Sequence, residues 1–205
     1  WALKSQEKNK EATPQFAKLA TTFAESPLAP EANFHVGEDF YEAKNFEEAV
    51  KSYALSKQKA GKTELGEKST YKLGWSFHQL KQFDKAVAEF NAQVTEYPKG
   101  PLAGDGMFMK AEGLFKLENY KEAWPVYLFC TQNKSPNETI TVLVWLHGGQ
   151  TATKLKQWND AIGMLAQIPA KHATTPFLAE ALYELGYAYQ NAEKTDDALK
   201  NYEAA

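Results

Sequence analysis

Residues 71–98 read YKLGWSFHQLKQFDKAVAEFNAQVTEYP, and this stretch decides the fold. Phe83 is followed three residues later by Ala86 and four residues after that by Phe90. This spacing places the three side chains on one face of an α-helix. An earlier apolar stripe around Gly74 has the same helical spacing and predicts a second helix. The stretch is therefore interpreted as a pair of helices joined by a short turn.

The same pattern recurs along the chain at an almost fixed interval. Its central alanines are spaced 37, 37, 38 and 37 residues apart, at Ala49, Ala86, Ala123, Ala161 and Ala198. A small residue also recurs in each preceding helix, at Gly37, Gly74, Ala111, Gly149 and Gly186. A period of about 20 to 50 residues is typical of a stacked array of one supersecondary unit. The small residues let two helix backbones approach closely, and neighbouring pairs cover the apolar faces that one pair cannot bury alone.

Helix boundaries are predicted from proline and from capping residues. Three X-Pro pairs occur at one register ahead of first helices, where proline suits the first helical turn: Ser26-Pro27, Gly100-Pro101 and Thr175-Pro176. Thr63 is predicted to cap the first helix of the second repeat. In the fourth repeat Ser135-Pro136 comes early, and Pro125 falls inside a second helix that it should kink.

Seven residues of the second repeat resemble the signature of tetratricopeptide repeats nearly position for position: Tyr71, Leu73, Gly74, Phe77, Ala86, Phe90 and Pro98. The resemblance covers essentially the whole chain. It implies an all-α fold, a right-handed superhelical solenoid of antiparallel helix pairs. The Tyr97-Pro98 link and the 37-residue spacing resemble repeats of bacterial cell-envelope proteins, such as the Tol-Pal coordinator and the lipoprotein of the BAM complex. That finer resemblance implies a location in the bacterial periplasm or cell envelope.

The register divides the chain into one array of repeats over residues 1–205. The expected pieces are 1–25 as the remnant of a preceding repeat, then repeats at 26–61, 62–98, 99–135 and 136–173, and a truncated repeat at 174–205. Solenoids need polar capping elements at their ends. Leu199 and Tyr202 would lie on an uncovered face, so we expect a fragment of a longer array that could self-associate end to end.

The family resemblance also implies which side chains line the concave groove of the array. Among them we single out a set rich in aromatic residues as the peptide-binding groove: Phe34, Glu38, Tyr41, Tyr71, Trp75, His78, Phe108, Phe115, His147, Tyr183 and Tyr187. Aromatic side chains are common anchors of peptide recognition because they bury a large area at low entropic cost. The alternative is that many of these rings only pack one repeat against the next. Acidic residues near Glu38 suggest that this end of the groove prefers a basic or neutral ligand segment.

Composition excludes several other classes of function. The net charge is −3, from 23 basic and 26 acidic groups, which is too balanced for a nucleic-acid partner. Every basic residue is lysine, so bidentate arginine clamps are excluded. The single cysteine, Cys130, provides neither a disulfide framework nor a thiolate metal site. No apolar run is long enough to span a membrane. We predict no catalytic residues, no metal and no cofactor.

The predicted function is therefore a scaffold for protein–protein interaction, with a peptide or partner segment bound in the groove. Two alternatives stay open. The array could be a structural spacer or assembly module that acts through its convex face or open ends. It could also present substrates to a catalytic domain located elsewhere in a longer protein.

Overall fold

The chain folds into α-helices joined by short turns and links. The computed structural model describes residues 2–6, 9–133, 135 and 137–205. Within these ranges the helices are α1 (Ala2–Ser5), α2 (Asn9–Thr22), α3 (Ala29–Glu42), α4 (Phe46–Ala60), α5 (Glu64–Gln79), α6 (Phe83–Glu96), α7 (Ala103–Lys116), α8 (Tyr120–Gln132), α9 (Glu138–Lys154), α10 (Trp158–Leu165), α11 (Gln167–Lys171), α12 (Leu178–Asn191) and α13 (Thr195–Ala204). The described ranges contain no β-strand. The prediction of an all-α fold is confirmed.

The contacts divide the chain into two compact units, Trp1–Gly106 and Met107–Ala205, with the division inside α7. In the first unit α2 packs against α3, α3 against α4, α4 against α5 and α5 against α6. In the second unit α8 packs against α9, α9 against α10, α10 against α12 and α12 against α13. Within each unit, helices that follow one another in sequence are therefore neighbours in space, as stacking of helix pairs requires.

The recurring small residues make the close helix contacts that the sequence predicts. All five central alanines are at most 3% exposed. A Cβ atom placed on Gly37 would lie 2.8 Å from the ring of Tyr53, and one on Gly186 would lie 2.7 Å from the ring of Tyr202. Because real Cβ contacts are essentially never this short, the rings of Tyr53 and Tyr202 lie directly on the glycines of the preceding first helices.

Each turn between the two helices of a pair contains one residue with a left-handed backbone. These residues have φ between 56° and 60° and recur at the period of the repeat, at Lys44, Lys81, Glu118, Lys156 and Glu193. In the first such turn the amide of Asn45 donates to the carbonyl of Phe40, which closes the helix end in the manner of a Schellman motif. Glycine is the usual residue at this position, and because lysine or glutamate stands there, the sequence did not indicate the left-handed backbone of the turn.

The three X-Pro pairs lie ahead of first helices as predicted, but Pro27, Pro101 and Pro176 lie in turns and not in the first helical turn. The amide of Ala29 donates to the carbonyl of Ser26 at 2.9 Å, so Pro27 lies at the second position of a β-turn and α3 begins two residues later. The same bond forms ahead of α7 and α12. Proline favours this turn position because its ring fixes φ near the required value. Thr63 does cap α5, since its Oγ1 accepts the amide of Gly66 at 3.2 Å.

The fourth repeat differs from the others at both ends. Asn137 caps α9 by accepting the amide of Thr139 at 2.9 Å, and the predicted early turn at Pro136 lies outside the described residues. The second helix of this repeat is divided at Ala166 into α10 and α11, which the sequence pattern did not indicate. In the third repeat Pro125 lies inside α8 and is exposed, and the expected kink stays a prediction.

The long link after α6 is attached to the first unit by a buried carboxylate. Glu67 is 2% exposed and accepts the backbone amide of Leu102 at 3.1 Å. The same Oε1 atom accepts the side-chain amide of Gln93 at 3.1 Å. At the start of the link, the hydroxyl of Tyr97 donates to the carbonyl of Gly61 at 2.9 Å. The two bonds to Glu67 compensate for burying its carboxylate. All three bonds fix the path of the extra residues that lengthen the repeat.

Candidate binding face

The predicted groove residues all lie on the first helices of the helix pairs. They occur on α3 and α5 in the first unit, and on α7, α9 and α12 in the second unit. In each unit we call this side of the helices the first-helix face. The two units are described separately below.

Glu38 on α3 is the polar centre of the face in the first unit. The hydroxyl of Tyr53, which lies on α4, donates to the Oε1 atom of Glu38. The Nζ atom of Lys72, on the neighbouring helix α5, lies 2.9 Å from the same carboxylate. Burial, together with the hydrogen bond to Glu38, raises the pKa of Tyr53, so this hydroxyl stays a donor. The charge of Glu38 is therefore neutralised in place and does not by itself attract a basic ligand.

Aromatic side chains surround this ion pair. The Lys72 ammonium lies 5.4 Å from the ring centroid of Tyr41, in the geometry of a cation–π contact. Phe34 packs against the ring of Tyr53 with a centroid distance of 5.6 Å and is half-buried. Phe34, Glu38 and Tyr41 are thus brought together along one helix, and Lys72 connects them to α5.

The three predicted residues of α5 form a continuous aromatic row. The centroids of Tyr71 and Trp75 are 6.3 Å apart, and those of Trp75 and His78 are 5.7 Å apart. His78 continues the row to Phe83 at 5.2 Å, which lies at the start of α6. All three predicted side chains are half-buried, so each ring contacts the protein and keeps part of its surface exposed.

An open cleft of about 430 Å³ lies at the N-terminal ends of α3 and α5. It is lined by residues of both helices and of the preceding link: Glu31, Phe34, His35, Thr63, Glu64, Leu65 and Lys68. Its walls carry acidic, basic and aromatic groups. The cleft is the concave part of the first-helix face in this unit.

In the second unit Glu112 on α7 repeats the environment of Glu38. The hydroxyl of Tyr127 donates to its Oε1 atom at 2.7 Å, and the Nδ1 atom of His147 lies 2.7 Å from the same atom. Burial is the main cause that raises the pKa of Tyr127 well above its usual value, and the charge of Glu112 adds to it. The ring of Phe115 stacks on His147 at 5.1 Å with an interplanar angle of 12°. The structure therefore brings two of the predicted residues, Phe115 and His147, into contact.

Phe108 differs from the other predicted residues. It is 7% exposed, so it offers almost no surface to a ligand. For this residue the alternative, that the ring serves packing, fits the structure better. We leave Phe108 out of the face proposed below.

Tyr183 and Tyr187 on α12 are the most exposed residues of the predicted set. Tyr183 is 58% exposed and Tyr187 is 41% exposed. Each has one aromatic neighbour, since Tyr183 lies 5.7 Å from Tyr202 and Tyr187 lies 6.2 Å from Trp158. Trp158 was not among the predicted residues, because it begins the second helix α10 and the prediction considered only first helices.

The described residues contain no group of three or more histidine, cysteine, aspartate or glutamate side chains that could hold a metal ion. Cys130 is buried, and burial raises the pKa of its thiol to about 12. This thiol is therefore protonated and shielded at neutral pH, which does not suit a nucleophile. Across the same described ranges, no helix is both long enough and apolar enough to cross a membrane.

Comparisons with known proteins agree with this architecture. The family model described as "Tetratricopeptide repeat" matches residues 69–100 and 180–205. No match was found among curated proteins. The fold is similar to that of MamA 41-end from Desulfovibrio magneticus RS-1, with 14% identity, a TM-score of 0.71, and coverage of 85% of this chain and 92% of that chain. It is also similar to YrrB, described as "a TPR protein with an unusual peptide-binding site", with 19% identity, a TM-score of 0.72, and coverage of 92% and 89%.

At these identities the structural likeness shows the fold alone. The chain therefore has a tetratricopeptide-like array of helix pairs, with two segments that match the repeat family directly. The finer resemblance to bacterial cell-envelope repeat proteins is not supported by these comparisons.

Proposed function

We propose that this chain is a protein-interaction module that binds a peptide or a segment of a partner protein along its first-helix face. The observation that carries the proposal is the row of half-buried rings Tyr71, Trp75 and His78 beside the Lys72–Tyr41 contact. Rings that are held from one side and open on the other can bind a ligand with little further loss of entropy. The chain performs no catalysis in this proposal.

Two further facts support the proposal. The tetratricopeptide fold offers an extended face rather than a closed pocket, which suits an elongated ligand. The structural relative YrrB is described as having a peptide-binding site. The proposed face consists of Phe34, Glu38, Tyr41, Tyr71, Trp75 and His78 in the first unit, and of Phe115, His147, Tyr183 and Tyr187 in the second.

The experiment is a selection from a random library of 12-residue peptides displayed on phage, followed by affinity measurement on the purified protein. The double variant Tyr41→Ala/Trp75→Ala should weaken binding of peptides that use the first unit by at least about tenfold, because interface aromatics contribute much of the binding energy. Leu55→Ala is the matched control, since Leu55 is 45% exposed on the second helix α4. Helicity and melting temperature of all variants are measured in parallel.

Two results would overturn the proposal. In the first, selected peptides bind the double variant as well as they bind the wild-type protein, and they also lose no affinity for Tyr183→Ala/Tyr187→Ala in the second unit. In the second, no peptide is selected and sedimentation shows self-association instead, which would favour an assembly module acting through open ends. Leu199 on α13, which is 58% exposed, would then be the first residue to test.

A further inference from the structure

One helix of the second unit, α12, carries a stripe of side chains that keep exposed surface after the unit has packed. On α12, Glu180, Tyr183, Glu184 and Tyr187 are spaced i, i+3, i+4 and i+7, so they share one side of the helix. The opposite side of α12 is buried, with Ala181, Leu185 and Ala188 at most 3% exposed. The stripe therefore alternates acidic and aromatic groups on a surface that is open to a ligand.

The two carboxylates of the stripe share a neutral partner. The side-chain amide of Gln150, on α9, donates to Glu180 at 2.9 Å and to Glu184 at 3.3 Å. An amide satisfies hydrogen bonds but brings no positive charge. Glu38 in the first unit is different, because the ammonium of Lys72 compensates its charge directly. The negative charge of the α12 stripe is accordingly left largely uncompensated.

The environment of Glu184 also favours a positively charged ligand. Burial raises the pKa of its carboxyl group, and the nearby charge of Glu180 adds to this effect. The hydrogen bond from Gln150 and the charge of the exposed Lys154 act in the opposite direction without cancelling it. A carboxylate that is partly desolvated and lies close to a like charge gains from the arrival of a cation.

The tyrosines complete a surface for a long basic side chain. Tyr187 makes a T-shaped contact with Trp158, and Tyr183 packs at a tilt against Tyr202, so both rings have defined neighbours while 41% and 58% of their surfaces remain exposed. A ring of this kind can pack against the methylene stem of a lysine or arginine and attract its charged end. A carboxylate lies next to each ring along the helix.

We propose that the α12 stripe binds a basic side chain, lysine or arginine, of the partner segment, with the cation at Glu180 and Glu184 and its stem on Tyr183 and Tyr187. This inference rests on the proposed function and specifies the chemistry of the ligand. Charge complementarity selects this occupant, because an acidic segment would be repelled by the two carboxylates and an apolar one would leave them without a counter-charge.

The probe is the same random library of 12-residue peptides, selected in parallel against the wild-type protein and against Glu180→Gln/Glu184→Gln. The glutamines keep the size and polarity of the side chains, so the fold should be unchanged, and circular dichroism checks this. Lysine and arginine should be enriched in peptides selected on the wild-type protein and should return to library frequency on the double variant.

One selected peptide is then resynthesised with norleucine in place of its enriched basic residue. On the wild-type protein its Kd should rise about tenfold, and on the double variant it should change less than about twofold. Tyr187→Ala should weaken the parent peptide by a similar factor, whereas Tyr187→Phe, which keeps the ring, should not. A Kd change that is equal on both proteins would overturn the inference.

The outcome also separates this inference from the proposed function. Selection of peptides without enriched basic residues would overturn only the basic-ligand inference, because binding itself would still occur. Failure to select any peptide on either protein would overturn both.

Discussion

Glu38 in the first unit and Glu112 in the second occupy equivalent positions but have different partners. Each accepts a hydrogen bond from a tyrosine of the second helix in its own pair, Tyr53 or Tyr127. Each also contacts the first helix of the next pair, through Lys72 in one case and His147 in the other. The side chain of Glu38 is 24% exposed and that of Glu112 is 11% exposed. The array thus keeps the acid–tyrosine contact while the cross-pair partner changes from a permanent cation to a group that is charged only when protonated.

The comparison indicates that the buried tyrosine stabilises the helix pair, whereas the cross-pair partner of the acid belongs to the exposed first-helix face. The tyrosine ring lies over the small residue of the first helix, as it does for Tyr53 over Gly37, and its hydroxyl satisfies the acid. The partner of the acid lies among the open rings of the first-helix face. Changes at the tyrosine should therefore affect stability, and changes at the partner should affect binding.

Removal of either tyrosine ring should have the largest effect. Tyr53 and Tyr127 are both 0% exposed. Replacement of either by alanine should cost about 3–5 kcal/mol in the free energy of unfolding, because a buried aromatic ring is lost and a cavity is left. Urea unfolding of the two variants measures this. If one of them costs under about 1 kcal/mol, the two positions do not have the same structural role.

Removal of only the tyrosine hydroxyl group should change the free energy of unfolding by different amounts in the two units. Tyr127→Phe leaves the more buried Glu112 short of a donor and should cost about 1–3 kcal/mol. Tyr53→Phe should cost about 1 kcal/mol or less, because Lys72 still compensates Glu38. The difference between the two unfolding free energies is the quantity to measure. A larger cost at Tyr53 would contradict the role assigned to Lys72.

The turns should respond alike in both units. Lys81 and Lys156 have φ of 58° and 59°, a conformation that costs energy for any residue with a Cβ atom. Replacement of either by glycine should stabilise the protein by about 0.5–1 kcal/mol, after allowing for the entropy of glycine in the unfolded chain. Ala88→Gly, at an exposed site inside α6, is the control and should cost about 1 kcal/mol. Destabilisation by Lys81→Gly would contradict the assigned turn.

The smallest effect concerns Glu184, whose hydrogen-bond partner is the neutral amide of Gln150. Burial raises the pKa of Glu184 in the folded state above its unfolded value. The folded protein therefore holds the proton more tightly, and stability is lost as pH rises through the window from the unfolded to the folded pKa. Glu184→Gln should remove this loss, a gain of about 0.5 kcal/mol or less at pH 7 and none at pH 3. Thermal melts across this range check the sign, with Glu203→Gln at an exposed site of α13 as control.

Much of the architecture could be predicted because it depends on spacing within one helix or on a fixed period. The buried alanine series and the ring over Gly37 follow from residue sizes at repeating positions. The left-handed turn at Lys44 could not be predicted, because a lysine carries no local signal for positive φ. The turn that contains Pro27 could not be predicted, since proline suits the second position of a β-turn as well as the first turn of a helix.

The candidate face was predictable in position but not in its interactions. The period places Glu38 and Lys72 on neighbouring first helices, yet their ion pair depends on the side-chain conformations of both and on the Tyr53 hydroxyl between helices. For the same reason the sequence could not show that Phe108 is buried while Tyr183 is open. Helix register decides which side a residue faces, and the neighbouring side chains decide how much of it remains exposed.

Binding through the first-helix face is tested most directly by the indole N–H signals of the five tryptophans. The protein is labelled with ¹⁵N-tryptophan, the signals are assigned by single substitutions, and a library-selected peptide is titrated in. Trp75 lies on the first-helix face at α5, Trp158 touches Tyr187 of that face, and Trp124 lies on the second helix α8. The account predicts that Trp75 or Trp158 shifts with peptide concentration while Trp124 stays in place. A shift of Trp124 with Trp75 and Trp158 unchanged would contradict it.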